Sequence, residues 1–432
     1  MLRNGVASQA RIRTSEGARC NFENHIMNEN GFMSVEVRSE SSGLSIHRAE
    51  LIILLGAISA FASLSVDTYL PALPTLEKVF DASSIEVQLT LASFFVAFAL
   101  GQAFYGPIID RFGRKRPLCI ALMLFALASS GCALAWSIEA LIVMRFVQAL
   151  GACAGGVIAR AIVRDLFEPI DTARIFSALI LVTGFAPMLA PLVGGYVLIW
   201  WGWRAIFWLL SILGTISFIG VFFRLPETHH PEVVVKLKVG AVLEGYRRLL
   251  ADRRYFGFAL AGALSMAGMF AYISGSPFVF IELFGVPPNR FGWLFGANAL
   301  GFVISSQING KLVRRFEPLK LLKAANLVQA IAGLALLAAG ASGVGGIAGI
   351  IIPLFIYISC IGFILPNSTA LAMAPFSTNA GAASALLGST QFTIAAITST
   401  VLGMLHTQSA IPMTAMIAGC GVVSVGLYRR LS

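Results

Sequence analysis

Between Leu51 and the C-terminus the chain repeats one feature twelve times: an apolar run of roughly twenty residues, enough helix to cross a hydrocarbon core of about 30 Å. The runs fall at 51–73, 87–109, 117–136, 139–163, 175–200, 205–223, 255–281, 291–312, 319–341, 343–365, 380–405 and 410–428. Lipid cannot satisfy backbone N–H and C=O groups, and the runs lack the two-residue alternation of a membrane barrel, so each is expected to be a helix. The ninth and tenth runs nearly touch, and Ser342, Gly343, Gly345 and Gly346 must make a tight turn between them. Composition agrees with burial in a bilayer. Only 12% of the residues are charged, against about 25% in soluble domains, and the mean hydropathy is +0.82.

A formal net charge of +10 would suit a nucleic-acid-binding protein, but the positions of the charges give it another meaning. The loops after the second, sixth and eighth runs and the C-terminus together hold eighteen lysines and arginines, whereas the opposite loops hold only Lys78, Arg204 and Arg290. By the positive-inside rule both termini are expected in the cytoplasm, with the bilayer and no nucleic acid as partner. Residues 1–47 are polar and aperiodic, and are expected to be a disordered cytoplasmic tail in which Met27 and Met33 offer alternative starts. The six cysteines are scattered through apolar sequence as packing residues, and form neither a disulfide framework nor a zinc site.

The longest internal connection divides the runs six and six. The expected organisation is an N-terminal bundle over 48–224, a cytoplasmic linker over 225–254 and a C-terminal bundle over 255–432. Two weak matches suggest that the halves are repeats: Gly106-Pro-Ile-Ile-Asp-Arg-Phe112 returns 204 residues on as Gly310-Lys-Leu-Val-Arg-Arg-Phe316, and Pro71 of the first run finds a counterpart in Pro277 of the seventh. Parallel repeats of this kind are related by an axis along the membrane normal.

Polar residues inside the runs are the candidates for chemistry. Asp67, in Ser65-Val-Asp-Thr-Tyr69-Leu-Pro71-Ala-Leu-Pro74, is an acid in an apolar helix, on one face with Leu70, Pro71 and Pro74. An intramembrane carboxylate costs a few kcal/mol on insertion scales, so it is expected to face a cavity and to serve as a reversible proton site. In the fourth run Arg145 and Gln148 share a face, followed by Gly151 and Gly155 at the spacing of close helix contacts. Arginine keeps its proton, so Arg145 is expected to bias a neighbouring acid, Asp67, or to meet substrate. Gln102, Asn298, Asn367 and Gln391 could line a cavity or bond between helices. At the end of the second run Asp110, Arg111, Gly113, Arg114, Lys115 and Arg116 crowd a tight turn, with Asp165 as a partner for Arg114.

That turn resembles the G-x-L-x-D-R-x-G-R-[KR] loop of the major facilitator superfamily. D-x-Y-L-P-A-x-P around Asp67 resembles the helix-one signature of its drug:proton antiporters, especially the Bcr/CflA multidrug efflux subfamily. Arg145-Phe-Val-Gln148 resembles the helix-four motif, with Ala149 where glycine is commoner. Pro187, Pro191, Gly194 and Gly195 resemble the antiporter motif of helix five, with Ala190 in place of a glycine. The resemblance implies an all-α membrane protein of twelve transmembrane helices in two pseudo-symmetric six-helix bundles. Its expected activity is proton-coupled efflux of small amphiphilic drugs or metabolites across a bacterial inner membrane, by a monomer. It implies Asp67 and Arg145 for proton coupling; Asp67, Tyr69, Arg145, Gln148, Asn298 and Gln391 for substrate; and Asp110, Arg111, Gly113, Arg114 and Asp165 for gating. No P-loop, metal cluster or catalytic motif is present, so neither cofactor nor metal is expected and the chain does not read as an enzyme. A proton-coupled importer on the same fold and a non-transporting membrane receptor or scaffold are the competing readings.

Overall fold

The computed structural model describes residues 26–27, 33–34, 36–38, 45–167, 169–228, 239–376, 380–405 and 409–431. Pieces of the N-terminal segment form two small antiparallel pairings, Ile26–Met27 with Met33–Ser34 and Glu36–Arg38 with Ser45–His47. The rest of the expected tail, and residues 229–238 of the linker, lie outside the described residues.

Among the described residues fifteen α-helices follow. In the first half they are α1 (Arg48–Ser59), α2 (Phe61–Asp67), α3 (Leu73–Phe80), α4 (Ser84–Phe112), α5 (Lys115–Ala133), α6 (Ile138–Leu166), α7 (Pro169–Trp201) and α8 (Trp203–Arg224). The second half has α9 (Val239–Ala251), α10 (Arg253–Pro277), α11 (Pro288–Leu312), α12 (Pro318–Ser342), α13 (Gly346–Met373), α14 (Ala380–Met404) and α15 (Ile411–Leu431). Among the described residues ten helices are long and apolar enough to cross a membrane; Glu50–Ser59 with Phe61–Phe80 makes a further span bent by 43°, and Ile411–Leu427 is a shorter apolar helix. Each of the twelve apolar runs thus meets a helix.

Local chemistry sets the ends. Ser83 and Glu86 form a capping box at the start of α4, Ser137 accepts from the Ala140 N–H at the start of α6, and Asp252 accepts from Tyr255 at the start of α10. The turn between α12 and α13 has the expected glycine chemistry, with φ of +70° at Gly343, +78° at Gly345 and +52° at Gly346.

Packing repeats between the halves. In the first, α4 and α5 both lie against α6, and α5 against α8; in the second, α11 and α12 both lie against α13, and α12 against α15. Across the seam α4 runs along α14 and α7 along α11, two pairings that exchange when the halves are swapped. The linker helix α9 touches α10 and α14, and the Tyr246 hydroxyl donates to the Ala103 carbonyl of α4 at 3.1 Å. Cys119, Cys132, Cys153, Cys360 and Cys420 are free thiols.

Candidate functional site

The site begins with a broken helix. Pro71 has no N–H to give the carbonyl of Asp67 four residues earlier, and its ring clashes with that carbonyl, so α2 ends at Asp67. A 3-10 turn over Leu70–Ala72 carries Pro71 before α3 restarts with Pro74 in its first turn. The break leaves Asp67 at the carbonyl end of a helix in mid-bundle. It lines a cavity of about 230 Å³ between the halves, is only 4% exposed, and among the described residues its carboxylate takes no hydrogen bond or ion pair.

The cavity walls come from α2, α4 and α7 on one side and α10, α11, α13 and α14 on the other. They are mostly aromatic and thioether: Phe94, Phe95, Phe270 and Phe392 form a cluster of tilted and edge-to-face rings across the seam, with Met266 and Met269 beside it. Ser63, Thr183 and Tyr272 are the other polar side chains of the lining, and Pro187 of the span-five motif joins it. An apolar chamber with few polar groups is the usual form of a small-molecule site.

Other residues expected at substrate stand behind this surface. Arg145 has no exposure and sits in an aromatic cage, its guanidinium 4.8 Å from the Tyr69 ring centre, 4.5 Å from Phe94 and 5.9 Å from Phe207. It donates to the Ser65 carbonyl at 3.0 Å and to Gln148 Oε1 at 2.6 Å, while Gln148 Nε2 donates to Ser129 at 2.7 Å. Arg145 thus braces the backbone two residues before Asp67 without pairing with its carboxylate. Tyr69 is buried with its hydroxyl 2.7 Å from Thr90 Oγ1, and Asn298 donates to the Tyr272 hydroxyl at 3.1 Å, one layer behind the wall. Gln391 is half-buried on α14, outside the lining; Gln102 faces Gly388 of α14, and Asn367 donates to Asn309 at 2.7 Å.

Small residues bring the elements into contact. A Cβ on Gly194 would strike the Thr68 carbonyl in the span-one break, and one on Gly195 the Pro288 carbonyl at the start of α11. Pro191 lies within α7 between these contacts and the cavity. Gly151 lies against the Ala121 carbonyl of α5 and Gly155 against the Ile58 carbonyl of α1, so the two glycines of span four serve different neighbours. Where α4 begins, Gln88 closes the seam. Its Nε2 donates to the Ser274 carbonyl at 2.8 Å and its Oε1 accepts from Ser399 at 3.1 Å. Gln88 carried no signal in the sequence, because its partners lie in the other half.

At the opposite end Arg114 donates through Nε to Asp165 at 2.9 Å and through Nη1 to Asp110 at 2.8 Å. Arg111 stays outside this cluster and lies over the Phe112 ring. Gly113 takes φ +80° and ψ −174°, a conformation open to glycine, and faces the Glu227 carboxylate. Glu227 accepts from the backbone N–H groups of Arg114 at 2.7 Å and Lys115 at 3.1 Å, placing a negative charge at the start of α5. Glu227 lies in Leu225-Pro-Glu-Thr228 at the start of the linker, where nothing in the sequence marks this role.

Two six-helix halves around an apolar cavity with, among the described residues, one carboxylate in its lining have the architecture of a membrane transporter of small molecules. The chain belongs to the Major Facilitator Superfamily, whose sequence profile matches residues 55–400. It is 37% identical over 378 residues to an uncharacterized MFS-type transporter, YdgK, of Bacillus subtilis (87% of this chain, 94% of that protein). It is 30% identical over 381 residues to a bicyclomycin resistance protein homolog of Haemophilus influenzae (88% and 96%). A chloramphenicol resistance protein of Pseudomonas aeruginosa is 31% identical over 279 residues (64% and 65%). Among solved structures, an inward-facing, occupied bacterial homolog of the human lysosomal transporter Spinster superposes with a TM-score of 0.70 at 15% identity, covering 89% of this chain and 96% of the other.

Proposed function

We propose that the protein exports small amphiphilic molecules across a bacterial inner membrane in exchange for protons, as a monomer with both termini in the cytoplasm. The observation that carries this reading is the Asp67 carboxylate, placed by the Pro71 break at the wall of an apolar cavity with no partner among the described residues. A carboxylate so placed is free to take a proton or to face a polar part of a substrate, but not both at once. Loading one expels the other, which is the requirement for exchange. The names of two relatives support bicyclomycin- or chloramphenicol-like substrates.

Transport then follows from rocking of the two halves about the cavity. The Gln88 contacts and the Gly195–Pro288 approach close one end, which becomes the periplasmic gate. The Asp110, Arg114, Asp165 and Glu227 cluster braces the first half at the cytoplasmic end. Arg145 holds the backbone around Asp67 in register and acts on the proton site through Ser65. One proton crossing about 100 mV releases about 2.3 kcal/mol, which sustains roughly a 40-fold substrate gradient at about 1.4 kcal/mol per tenfold.

The test is Asp67→Asn in everted membrane vesicles energised by respiration. Proton-driven uptake of an amphiphilic drug should fall to background while the protein stays inserted and monodisperse. Retained antiport in the variant rejects Asp67 as the proton site, and uptake only in right-side-out vesicles would establish import.

A further inference from the structure

The junction between the linker helix and the second half presents a surface that transport chemistry does not use. Arg247 and Arg248 end α9, Arg253 and Arg254 open α10, and all four are exposed, as are Leu250 and Phe256 among them. One face of α9 is anchored: Leu249 is buried and Tyr246 bonds to α4, which turns the arginines outward. Glu244 gathers the first pair. Its Oε2 accepts from Arg247 Nε at 2.9 Å and its Oε1 from Arg248 Nε at 3.1 Å, yet the two side chains remain 80% and 79% exposed. Hydrogen bonds from Arg247 and then Arg248 lower the Glu244 carboxyl from its ordinary value. A single carboxylate cannot neutralise two guanidiniums, and Arg253 and Arg254 make no ion pair among the described residues.

Four guanidiniums interleaved with two exposed apolar side chains, at the mouth of a membrane span, match one partner chemistry. Arginine forks bind phosphate bidentately, and apolar side chains at this level meet acyl chains. Basic clusters immediately beside a transmembrane helix bind acidic lipid headgroups. We propose that the α9–α10 junction is a binding site for anionic phospholipid headgroups of the cytoplasmic leaflet, with Glu244 presenting Arg247 and Arg248 as a preformed pair. This rests on the proposed orientation, but headgroup binding in a symmetric bilayer depends on neither topology nor transport.

The experiment uses the full chain in nanodiscs of phosphatidylcholine with about 30% phosphatidylglycerol, the class of acidic lipid such clusters bind, and a trace of spin-labelled phosphatidylglycerol or, in a parallel sample, of spin-labelled phosphatidylcholine. The motionally restricted fraction of each lipid is read for three proteins: wild type, R247Q/R248Q/R253Q/R254Q, and the charge-matched K311Q/R314Q/R315Q/K320Q. Wild type should enrich phosphatidylglycerol over phosphatidylcholine several-fold. The first variant should lose most of that enrichment, and the second should keep it. Equal loss in both variants, or loss in neither, overturns the proposal. A failure of Asp67→Asn to abolish antiport would leave this result untouched, so the two readings fail separately.

Discussion

Arg145 shows how far one residue's meaning depends on others distant in the chain. The sequence marks it as a cation inside a membrane helix and suggests Asp67 as its neighbour. The cage that receives it is built from Tyr69, Phe94 and Phe207, on three other elements, and no local pattern announces it. The place of Asp67 at a cavity wall was legible, because an apolar helix tolerates a carboxylate best where it faces a cavity. Arg145→Lys keeps the charge but loses the flat stacking and the geometry of the two Nη1 bonds to Ser65 and Gln148. A loss of about 1–3 kcal/mol is expected, read as a lowered melting temperature in detergent. Glu227 is the converse case, a residue in plain view whose partners were not. Glu227→Gln should weaken the start of α5 by about 1 kcal/mol, and Gly113→Ala should cost about 1–3 kcal/mol because it forces φ +80° on a residue with a Cβ. Thermal unfolding of the two variants against wild type checks both values.

At the scale of elements, the apolar period fixed the spans because bilayer thickness leaves little choice of length. The break in span one was not foreseen: the run 51–73 reads as one helix, although Pro71 within it is the cause of the break. The turn after α12 was implied by its glycines. The helix within the linker was not legible, since the stretch around Glu244, Arg247 and Arg248 reads as charged loop until the apolar anchors Tyr246 and Leu249 are seen against the bundles. The span-five motif gains a concrete purpose from packing. Gly194 and Gly195 let α7 touch two carbonyls at once, Thr68 in the broken span and Pro288 across the seam. Gly194→Ala should push α7 off the break at a cost of about 1–3 kcal/mol. Proton-driven efflux should fall with it, and a variant that melts and transports like wild type would show that the contact is dispensable.

For the whole molecule, the internal repeat gave the symmetry of the helix pairings but not which faces meet across the seam, because α4 with α14 and α7 with α11 join segments from opposite halves. Rocking requires those contacts to part at one end. A Cβ built on Gly403 lies 2.9 Å from Gln88 Cβ, close to the separation a disulfide accepts after a small shift. Oxidised Q88C/G403C should stop transport and recover it on reduction; transport that continues through a complete cross-link would mean that this end never opens. The Tyr246 bond bears on the same movement. The linker helix runs on into the second half, and among the described residues its Tyr246 hydroxyl reaches the Ala103 carbonyl of the first. If the halves rock as proposed, that bond has to stretch or open in each cycle, which would make it a releasable catch outside the apolar cavity.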